Sequence, residues 1–314
     1  MNDLPDPTAA DRSLLRVRDL RCEIETPVGT AHVLRGVDLD VPRGRTLGIV
    51  GESGSGKSML LKSALGLLPP AARVSGTVEF DGIDVLGIPS AERSKFLGRR
   101  VGVVFQNPMT SLNPVIPISR QMAEASRFHL GLGRKEARAL AADLLDQVGV
   151  PNAAKRLDDY PHQFSGGMRQ RVMIAMALTC EPELLIADEA TTALDVTIQR
   201  AILDLLQEIQ EKRKMAMILV SHDLSVVMGR TDEVIVMYAG RIVERRPTRE
   251  LFNGDVHPYV QALSRAIPRL DMPAHTRLAT MTGSPPSVFD PRLDVVVAES
   301  EDTRRWVSAS EEAS

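Results

Sequence analysis

Residues 51–58 read Gly51-Glu52-Ser53-Gly54-Ser55-Gly56-Lys57-Ser58 and match the pattern G-x-x-x-x-G-K-[ST] at every fixed position. The apolar run Leu47–Val50 precedes this stretch, and a helix predicted over Lys57–Leu68 follows it. Glycines allow successive backbone N–H groups to point at a polyphosphate, and the start of the helix adds partial positive charge. We therefore predict a phosphate-binding loop in which Lys57 reaches the β- and γ-phosphates of a nucleotide and Ser58 ligates Mg²⁺. The alternative, a glycine-rich loop without function, requires the spacing and both flanking elements to coincide by chance.

A second stretch supplies carboxylates for the same chemistry. The run Leu184–Ala187 is apolar and leads directly into Asp188 and Glu189. Open parallel sheets bind ligands at the carboxyl ends of their strands, so both side chains are expected beside the phosphate-binding loop. Asp188 can hold Mg²⁺, directly or through water, and Glu189 can polarise the water that attacks the γ-phosphate. By itself this short string is weak evidence, and the loop at residues 51–58 is what makes it informative.

Short apolar runs recur along the chain and favour an α/β fold with a mainly parallel, buried sheet. The runs are Leu47–Val50, Val101–Phe105, Leu184–Ala187, Met217–Val220 and Val234–Met237. Helices are predicted over Lys57–Leu68, Arg134–Val148, Gly167–Leu178 and Thr197–Lys212. The stretch from about Asn113 to Gln163 is typical of a helical insertion. Alternating apolar and polar residues within Leu14–Val41 instead predict antiparallel strands.

Composition excludes several classes of protein. The chain has 314 residues, a formal net charge of −3 and 43% hydrophobic residues, which is enough for a buried core and excludes wholesale disorder. The charge balance gives no general case for a nucleic-acid partner. Two cysteines, Cys22 and Cys180, are too few for a disulfide framework. We expect no targeting or membrane-spanning segment, since the most hydrophobic stretch, Val172–Ala187, is interrupted by charged residues and a proline.

Four further motifs, added to the two stretches described above, identify a family. Phe164-Ser165-Gly166-Gly167-Met168-Arg169-Gln170-Arg171 resembles the signature motif of ABC-type ATPases. Gln106 resembles the glutamine of the Q-loop, Ala193-Leu194-Asp195 the D-loop and His222 the switch histidine of that family. The resemblance covers Leu14 to about Val243 and implies a P-loop NTPase of ABC type. It also implies a head-to-tail dimer in which each ATP lies between the phosphate-binding loop of one chain and Ser165–Met168 of the other.

The resemblance assigns roles residue by residue. The catalytic set that it implies is Glu189, His222, Lys57 and Gln106. The nucleotide-binding set is Ile24, Gly51, Glu52, Ser53, Gly54, Ser55, Gly56, Lys57, Ser58, Gln106, Ser165, Gly166, Gly167, Met168 and Asp195. The Mg²⁺ ligands are Ser58, Gln106 and Asp188. The cofactors expected are therefore ATP and Mg²⁺.

A finer resemblance concerns the subfamily. Two stretches are similar to the ATPases of oligopeptide, dipeptide and nickel importers. One is the string from Phe105 to Pro114, and the other is His257-Pro258-Tyr259-Val260-Gln261-Ala262-Leu263 followed by Ala266-Ile267-Pro268. This implies a peripheral subunit at the cytoplasmic face of the cell membrane, coupling ATP hydrolysis to peptide uptake. The partners implied are two membrane permease subunits, a second ATPase subunit of the same or a homologous chain and, indirectly, an extracellular solute-binding protein. Neither the solute nor the choice between homodimer and heterodimer follows from the sequence.

Three departures from the family pattern are visible. Many subfamily members carry clustered cysteines near the C-terminus, but no cysteine follows Cys180 here, so we expect no iron–sulfur cluster. No aromatic residue precedes Phe80, so Ile24 is predicted to occupy the place where an aromatic ring usually stacks on adenine. Ala190 stands where a proline usually follows the catalytic glutamate, and this change leaves both carboxylates in place.

The domain organisation that we expect is an ABC ATPase domain over residues 14–250, with its helical subdomain at about 113–165. A C-terminal extension of the oligopeptide-importer type follows at 251–289, and an acidic, mobile tail at 290–314. Other functions stay open at this point: import of nickel, a metallophore or another small solute, and an ABC ATPase acting on DNA or the ribosome. The last would need a long coiled-coil insertion or two fused cassettes, and an exporter subunit would not account for the His-Pro-Tyr extension.

Overall fold

The computed structural model describes residues 13–106, 111–191, 195–265 and 287–289. Its strands are β1 (Ser13–Thr26), β2 (Gly29–Pro42), β3 (Thr46–Val50), β4 (Ala72–Phe80), β5 (Ile83–Asp84), β6 (Val101–Val104), β7 (Leu184–Asp188), β8 (Ala216–Ser221), β9 (Glu233–Tyr238) and β10 (Arg241–Pro247). Its α-helices are α1 (Lys57–Ala64), α2 (Ser90–Arg100), α3 (Ile118–Leu130), α4 (Arg134–Gln147), α5 (Ala153–Arg156), α6 (Gly166–Ala177), α7 (Val196–Arg213), α8 (Leu224–Val227) and α9 (Pro258–Arg265). Short 3₁₀ turns lie at Pro161–Gln163 and Thr248–Glu250.

The chain divides into two compact units. The first unit takes its described residues from 13–14, 41–46, 87–106, 111–191 and 195–220. The second unit takes its described residues from 15–40, 47–86, 221–265 and 287–289. Because the chain passes from one unit to the other several times, neither unit is a contiguous piece of sequence.

The first unit contains three parallel strands and most of the helices. β7 lies between β6 and β8, with Val101 opposite Leu184 and Leu184 opposite Ala216. Because the apolar residues of β7 and β8 are buried on both faces, they follow each other without alternation. Helices α3, α4 and α5 lie within the stretch that the sequence predicted to be a helical insertion. On α4 the residues that face the interior recur at helical spacing: Ala137, Ala141, Leu144 and Leu145.

The second unit contains both antiparallel and parallel pairs. β1 pairs antiparallel with β4, and the four strands lie in the order β2-β1-β4-β5. This confirms the antiparallel strands that alternation predicted. A bulge interrupts the β1–β4 register between Arg18 and Arg21, where Asp19 has φ 44°. β9 pairs parallel with β3 on one side and antiparallel with β10 on the other.

Helix α1 ends earlier than the sequence predicted. The prediction ran to Leu68, whereas α1 ends at Ala64. Gly66 takes the left-handed conformation with φ 63°, and the Leu67 N–H donates back to the Lys62 carbonyl at 2.8 Å. These features form a helix stop that a glycine permits, and Pro69 and Pro70 follow at once.

The described residues also bear on membrane-spanning helices and on the two cysteines. No helix within the described ranges is both long and apolar enough to cross a membrane. Cys22 is buried and Cys180 is half-buried, and burial raises the thiol pKa of both. Four predicted features lie wholly or partly outside the described residues: residues 107–110 of the Phe105–Pro114 string, the Ala266-Ile267-Pro268 string, D-loop residues Ala193 and Leu194, and the acidic tail at 290–314.

Candidate functional site

The phosphate-binding loop of the second unit curls around its own lysine. Lys57 is only 5% exposed, and its Nζ donates to the carbonyl oxygens of Gly51 at 2.7 Å and Glu52 at 2.9 Å. The backbone N–H of Ser55 donates to the Glu52 carbonyl at 3.2 Å, which closes the turn. Ser58 is half-buried in the first turn of α1. A compact cationic loop at the start of a helix is suited to bind a polyphosphate.

Two glycines of this loop are required by its surroundings. A Cβ on Gly51 would lie 2.3 Å from the carbonyl oxygen of Met237, at a distance that no side chain tolerates. Gly56 has φ 104°, a conformation that residues with a side chain rarely adopt, and it lies against the backbone of Val33. Gly240 donates its N–H to the Ser55 carbonyl at 3.0 Å, so the β9–β10 turn supports the loop from the outside.

The first unit brings together two of the predicted catalytic residues. The side-chain amide Nε2 of Gln106 donates to Oε2 of Glu189 at 2.8 Å. Glu189 follows the last residue of β7, Asp188, and has φ 48°, a left-handed conformation that is uncommon outside glycine. Its backbone N–H donates to the Val220 carbonyl at 3.1 Å, which anchors this turn on β8. The carboxylate is therefore positioned by its backbone and by its partner amide.

The signature motif forms the N-terminus of α6. Ser165 is the N-cap, and its hydroxyl accepts a hydrogen bond from the Met168 N–H at 3.4 Å. Ser165 and Gly166 are exposed, whereas Gly167 is buried beneath α7. A Cβ on Gly167 would lie 2.8 Å from Cγ2 of Ile198, so α6 and α7 approach as closely as they do only because this residue is glycine. The exposed helix end carries the partial positive charge that an oxyanion needs.

Arg156 and Arg169 brace the signature motif. The Arg156 guanidinium donates to the sulfur of Met168 at 3.0 Å and lies 4.6 Å from the ring centroid of Phe164. Arg169 donates its Nε–H to the Pro161 carbonyl at 2.8 Å. The family resemblance included Phe164 and Arg169 in the signature motif but gave no role to Arg156. In the sequence Arg156 is simply a basic residue shortly before the motif, and nothing there indicates its contact with Met168.

The remaining predicted residues lie at the ends or edges of elements. Asp195 caps α7, since its Oδ1 accepts from the Ile198 N–H at 3.0 Å. His222 is exposed and follows the last residue of β8. Ile24 is half-buried on β1, opposite Ala72 of β4. Their roles toward nucleotide remain predictions from the family resemblance.

The oxygen donors predicted for Mg²⁺ suit that ion chemically. Ser58, Gln106 and Asp188 offer a hydroxyl, an amide oxygen and a carboxylate, all hard ligands of the kind that Mg²⁺ prefers. Within the described part of the chain, no group of three or more His, Cys, Asp or Glu side chains is placed to hold a metal. Such a cage is not needed, because Mg²⁺ usually takes one or two carboxylates and completes its shell with substrate phosphates and water.

One contact to the phosphate-binding loop was not predicted. The hydroxyl of Tyr259, in α9, accepts a hydrogen bond from the backbone N–H of Glu52 at 3.2 Å. The Tyr259 ring lies 4.6 Å from the Tyr238 ring, centroid to centroid. The sequence placed Tyr259 in the His-Pro-Tyr string of the C-terminal extension, but nothing in it identified the phosphate-binding loop as its contact.

Two family profiles match the chain. Residues 34–192 match the family described as ABC transporter. Residues 243–292 match the family described as oligopeptide/dipeptide transporter, C-terminal region. The two matches cover different parts of the chain and point to the same class of protein.

Curated relatives resemble the chain over most of its length. It is 46% identical to the oligopeptide transport ATP-binding protein OppD of Escherichia coli K12, over 88% of this chain and 82% of the relative. It is 48% identical to the dipeptide transport ATP-binding protein DppD of the same organism, over 88% of this chain and 85% of the relative. The DppD protein of Bacillus subtilis 168 is 45% identical, over 88% and 83% of the two chains.

Solved structures agree on the fold. An ATP-binding cassette solved as a dimer in a post-hydrolysis state with ADP and Pi superposes with a TM-score of 0.67 at 26% identity, covering 75% of this chain and 99% of that one. The cbiO1 protein of Clostridium perfringens, part of the transporter complex cbiONQ, gives a TM-score of 0.65 at 30% identity, covering 77% and 91% of the two chains. The predicted fold class is thereby confirmed.

Proposed function

This chain belongs to the ABC transporter family of ATP-binding proteins, and on that premise we propose that it is the ATP-hydrolysing subunit of an importer for oligopeptides or dipeptides. The observation that carries the peptide assignment is the match of residues 243–292 to the C-terminal region of oligopeptide/dipeptide transporters. That region lies beyond the cassette common to the whole family. Import of nickel, a metallophore or another small solute is the second candidate, since it would use the same cassette.

ATP binding is the task of the second unit's loop. Lys57, held by the Gly51 and Glu52 carbonyls, is placed to exchange these neutral acceptors for the charged oxygens of the β- and γ-phosphates. The backbone N–H groups of the loop and of the α1 N-terminus supply further donors. Ile24 is proposed to make an apolar contact with the adenine ring.

Hydrolysis is the task of Glu189. Its carboxylate accepts a hydrogen bond from the attacking water, whose oxygen bonds to the γ-phosphorus as the bond to the β–γ bridging oxygen breaks. The carboxylate takes up one proton of that water and returns it to the phosphate or to solvent as ADP and inorganic phosphate leave. Gln106 holds the carboxylate through its hydrogen bond of 2.8 Å, and His222 is proposed to contact the γ-phosphate.

Mg²⁺ would be held by oxygen atoms of Ser58, Gln106 and Asp188, whose chemistry fits the ion. When bound, it neutralises part of the negative charge that develops on the phosphates. The chain itself contributes the donors described above and the orientation of Glu189.

A second ATPase subunit is proposed to complete each site head to tail. Ser165, Gly166, Gly167 and Met168 would present the α6 N-terminus to the γ-phosphate bound by the partner subunit. Asp195 stands next to Val196, an apolar residue that is 81% exposed and therefore available for such an interface. Closure of the dimer would then depend on ATP, and hydrolysis would release it.

A hollow in the first unit is suited to a permease segment. It has a volume of about 610 Å³ and is lined by Pro114, Val115, Asp158, Asp159, Tyr160, His162 and Gln163. Val115 is 77% exposed, and the Tyr160 and His162 rings stack on each other with their centroids 5.7 Å apart. We propose that the permease subunits dock here at the cytoplasmic face of the membrane, and that an extracellular solute-binding protein delivers peptide to them.

The proposal is tested by reconstituting the chain with its co-purified permease subunits in liposomes and measuring uptake of a labelled dipeptide and pentapeptide. We expect ATP-dependent uptake that stops in the Glu189→Gln variant. Uptake of a nickel chelate with no competition from peptides would establish the second candidate instead. A chain that purifies with ribosomes or DNA, and without hydrophobic subunits, would refute transport altogether.

A further inference from the structure

The hydrogen bond between Tyr259 and the phosphate-binding loop joins two segments that are 207 residues apart in sequence. Both belong to the second unit. The Tyr259 side chain is 4% exposed, and its hydroxyl accepts from the backbone N–H of Glu52 at 3.2 Å. The carbonyl of the same Glu52 accepts from Lys57 Nζ at 2.9 Å. Both backbone groups of Glu52 are thus hydrogen-bonded, the carbonyl to Lys57 and the N–H to Tyr259 of the C-terminal extension.

Hydrogen bonds connect the start of the extension to Tyr259 and to β10. The Tyr259 backbone N–H donates to Nδ1 of His257 at 3.2 Å, and the His257 N–H donates to Oε2 of Glu244 on β10 at 2.7 Å. Arg246 in turn donates to Oε1 of Glu244 at 2.8 Å. The His-Pro-Tyr turn is therefore tied to β10 immediately before α9 begins.

The Tyr238 ring provides the second support. It ends β9, and its ring centroid lies 4.6 Å from that of Tyr259. Burial raises the pKa of Tyr238 to about 12 and raises that of Tyr259 as well, so both hydroxyls are protonated at physiological pH. The Tyr259 hydroxyl keeps a proton that it can donate while its oxygen accepts from Glu52.

We propose that Tyr259 is a positioning residue for ATP binding: through Glu52 it holds the phosphate-binding loop in its binding conformation, and it couples the C-terminal extension to the nucleotide. This inference rests on the proposed function and adds a role that the cassette motifs do not contain. Ordering the loop in advance lowers the entropy that binding costs, so the effect is on affinity. By linkage, bound nucleotide stabilises the docked extension by the same free energy.

The test compares Tyr259→Phe with Gln261→Met in the full chain. Tyr259→Phe keeps the ring and removes only the hydroxyl. Gln261 lies in the same helix and donates to the Val256 carbonyl at 3.0 Å, so its replacement removes one hydrogen bond from the extension without touching the loop. We expect Tyr259→Phe to weaken binding of ATP and ADP about threefold to tenfold by titration calorimetry, and Gln261→Met to leave it within twofold. In the assembled transporter KM for ATP should rise and kcat should stay within twofold, because the hydroxyl contacts the loop backbone.

Hydrogen exchange supplies a second measurement that does not depend on catalysis. In Tyr259→Phe the peptide that contains Glu52 should exchange faster, and ATP should protect the α9 peptide in the wild type. Equal nucleotide affinity for wild type and Tyr259→Phe, or equal losses in both variants, would overturn the inference while leaving ATP binding by the wild type intact. Failure of the wild type to bind ATP would instead refute the proposed function.

Discussion

Gln106 donates the hydrogen bond that orients Glu189, with 2.8 Å between Nε2 and Oε2, across 83 residues of sequence. The glutamate backbone is held independently, by the bond from its N–H to the Val220 carbonyl at 3.1 Å and by its left-handed conformation. A carboxylate fixed from two directions would need little rearrangement to take the role proposed for Glu189 toward the attacking water.

Replacing Glu189 with glutamine should abolish turnover while preserving ATP binding. The amide keeps the shape, and its oxygen can still accept from Gln106, but it is too weak a base to take up the attacking water's proton. We expect the ATPase rate of the assembled complex to fall by about 10²–10⁴-fold and a closed, ATP-bound dimer to accumulate in gel filtration. If the partner subunit is a different chain, the matching substitution is made there too. A double variant with unchanged turnover would contradict the role of Glu189.

Replacing Lys57 with alanine should weaken ATP binding itself. The substitution removes the cation and leaves the Gly51 and Glu52 carbonyls without the donor that they have here. We expect affinity for ATP to fall at least about tenfold in titration calorimetry. Lys62→Ala is the matched control, because Lys62 is exposed in the last turn of the same helix. Affinity of Lys57→Ala within twofold of the wild type would show that Lys57 does not contact the phosphates.

Replacing Ile24 with tyrosine should tighten binding of adenine nucleotides. An aromatic ring at this half-buried position of β1 could stack on the base, a gain of about 0.5–1.5 kcal/mol, or roughly twofold to twelvefold in affinity. Ile83→Tyr, on the exposed strand β5 of the same sheet, controls for the added ring. The same affinity in Ile24→Tyr and the wild type would mean that adenine is contacted elsewhere.

Two truncated chains should distinguish the role of the C-terminal extension from that of the acidic tail. A chain ending at Phe289 keeps the Val288 carbonyl, which accepts from the His32 N–H at 2.8 Å and from Arg35 at 3.3 Å. We expect it to assemble and hydrolyse ATP normally. A chain ending at Asp255 loses Tyr259 and should give a low yield of complex. Normal assembly of this shorter chain would show that the extension is dispensable, and lost hydrolysis in the longer one would give the acidic tail a role.

Glu183 should make stability depend on pH. Its carboxylate lies between Arg100 and Arg43, and hydrogen bonding to Arg100 first and Arg43 second lowers its pKa below the usual 4.5. Because the folded-state pKa is the lower one, the stabilisation is fully present above the ordinary pKa and is lost as pH falls through the lowered one.

We therefore expect Glu183→Gln to reduce the free energy of unfolding by about 1 kcal/mol at pH 7, and by less at pH 3, where the stabilisation from the carboxylate is being lost. Urea unfolding at both pH values measures this difference. Glu181→Gln, at an exposed position nearby, is the matched control for the change of side chain. A constant difference between wild type and Glu183→Gln at the two pH values would refute the assignment.

The sequence by itself determined the family, the phosphate-binding loop and the existence of the buried strands. These are local properties: eight consecutive residues create the loop, and runs of apolar residues form strands wherever both faces are covered. The same local patterns also predicted which motifs lie at the end of a strand or the start of a helix. Glu189 directly follows β7, and Ser165 directly precedes α6.

Only the tertiary structure decided which distant side chains meet. Gln106 contacts Glu189, and Tyr259 contacts Glu52. Both contacts depend on strand register and on the direction in which each loop leaves its strand. The end of α1 at Ala64 shows the same limit, because the Gly66 conformation outweighed the helical preference of the residues around it. Contacts across long sequence separations arise from the summed packing of the whole unit, and no single segment encodes them.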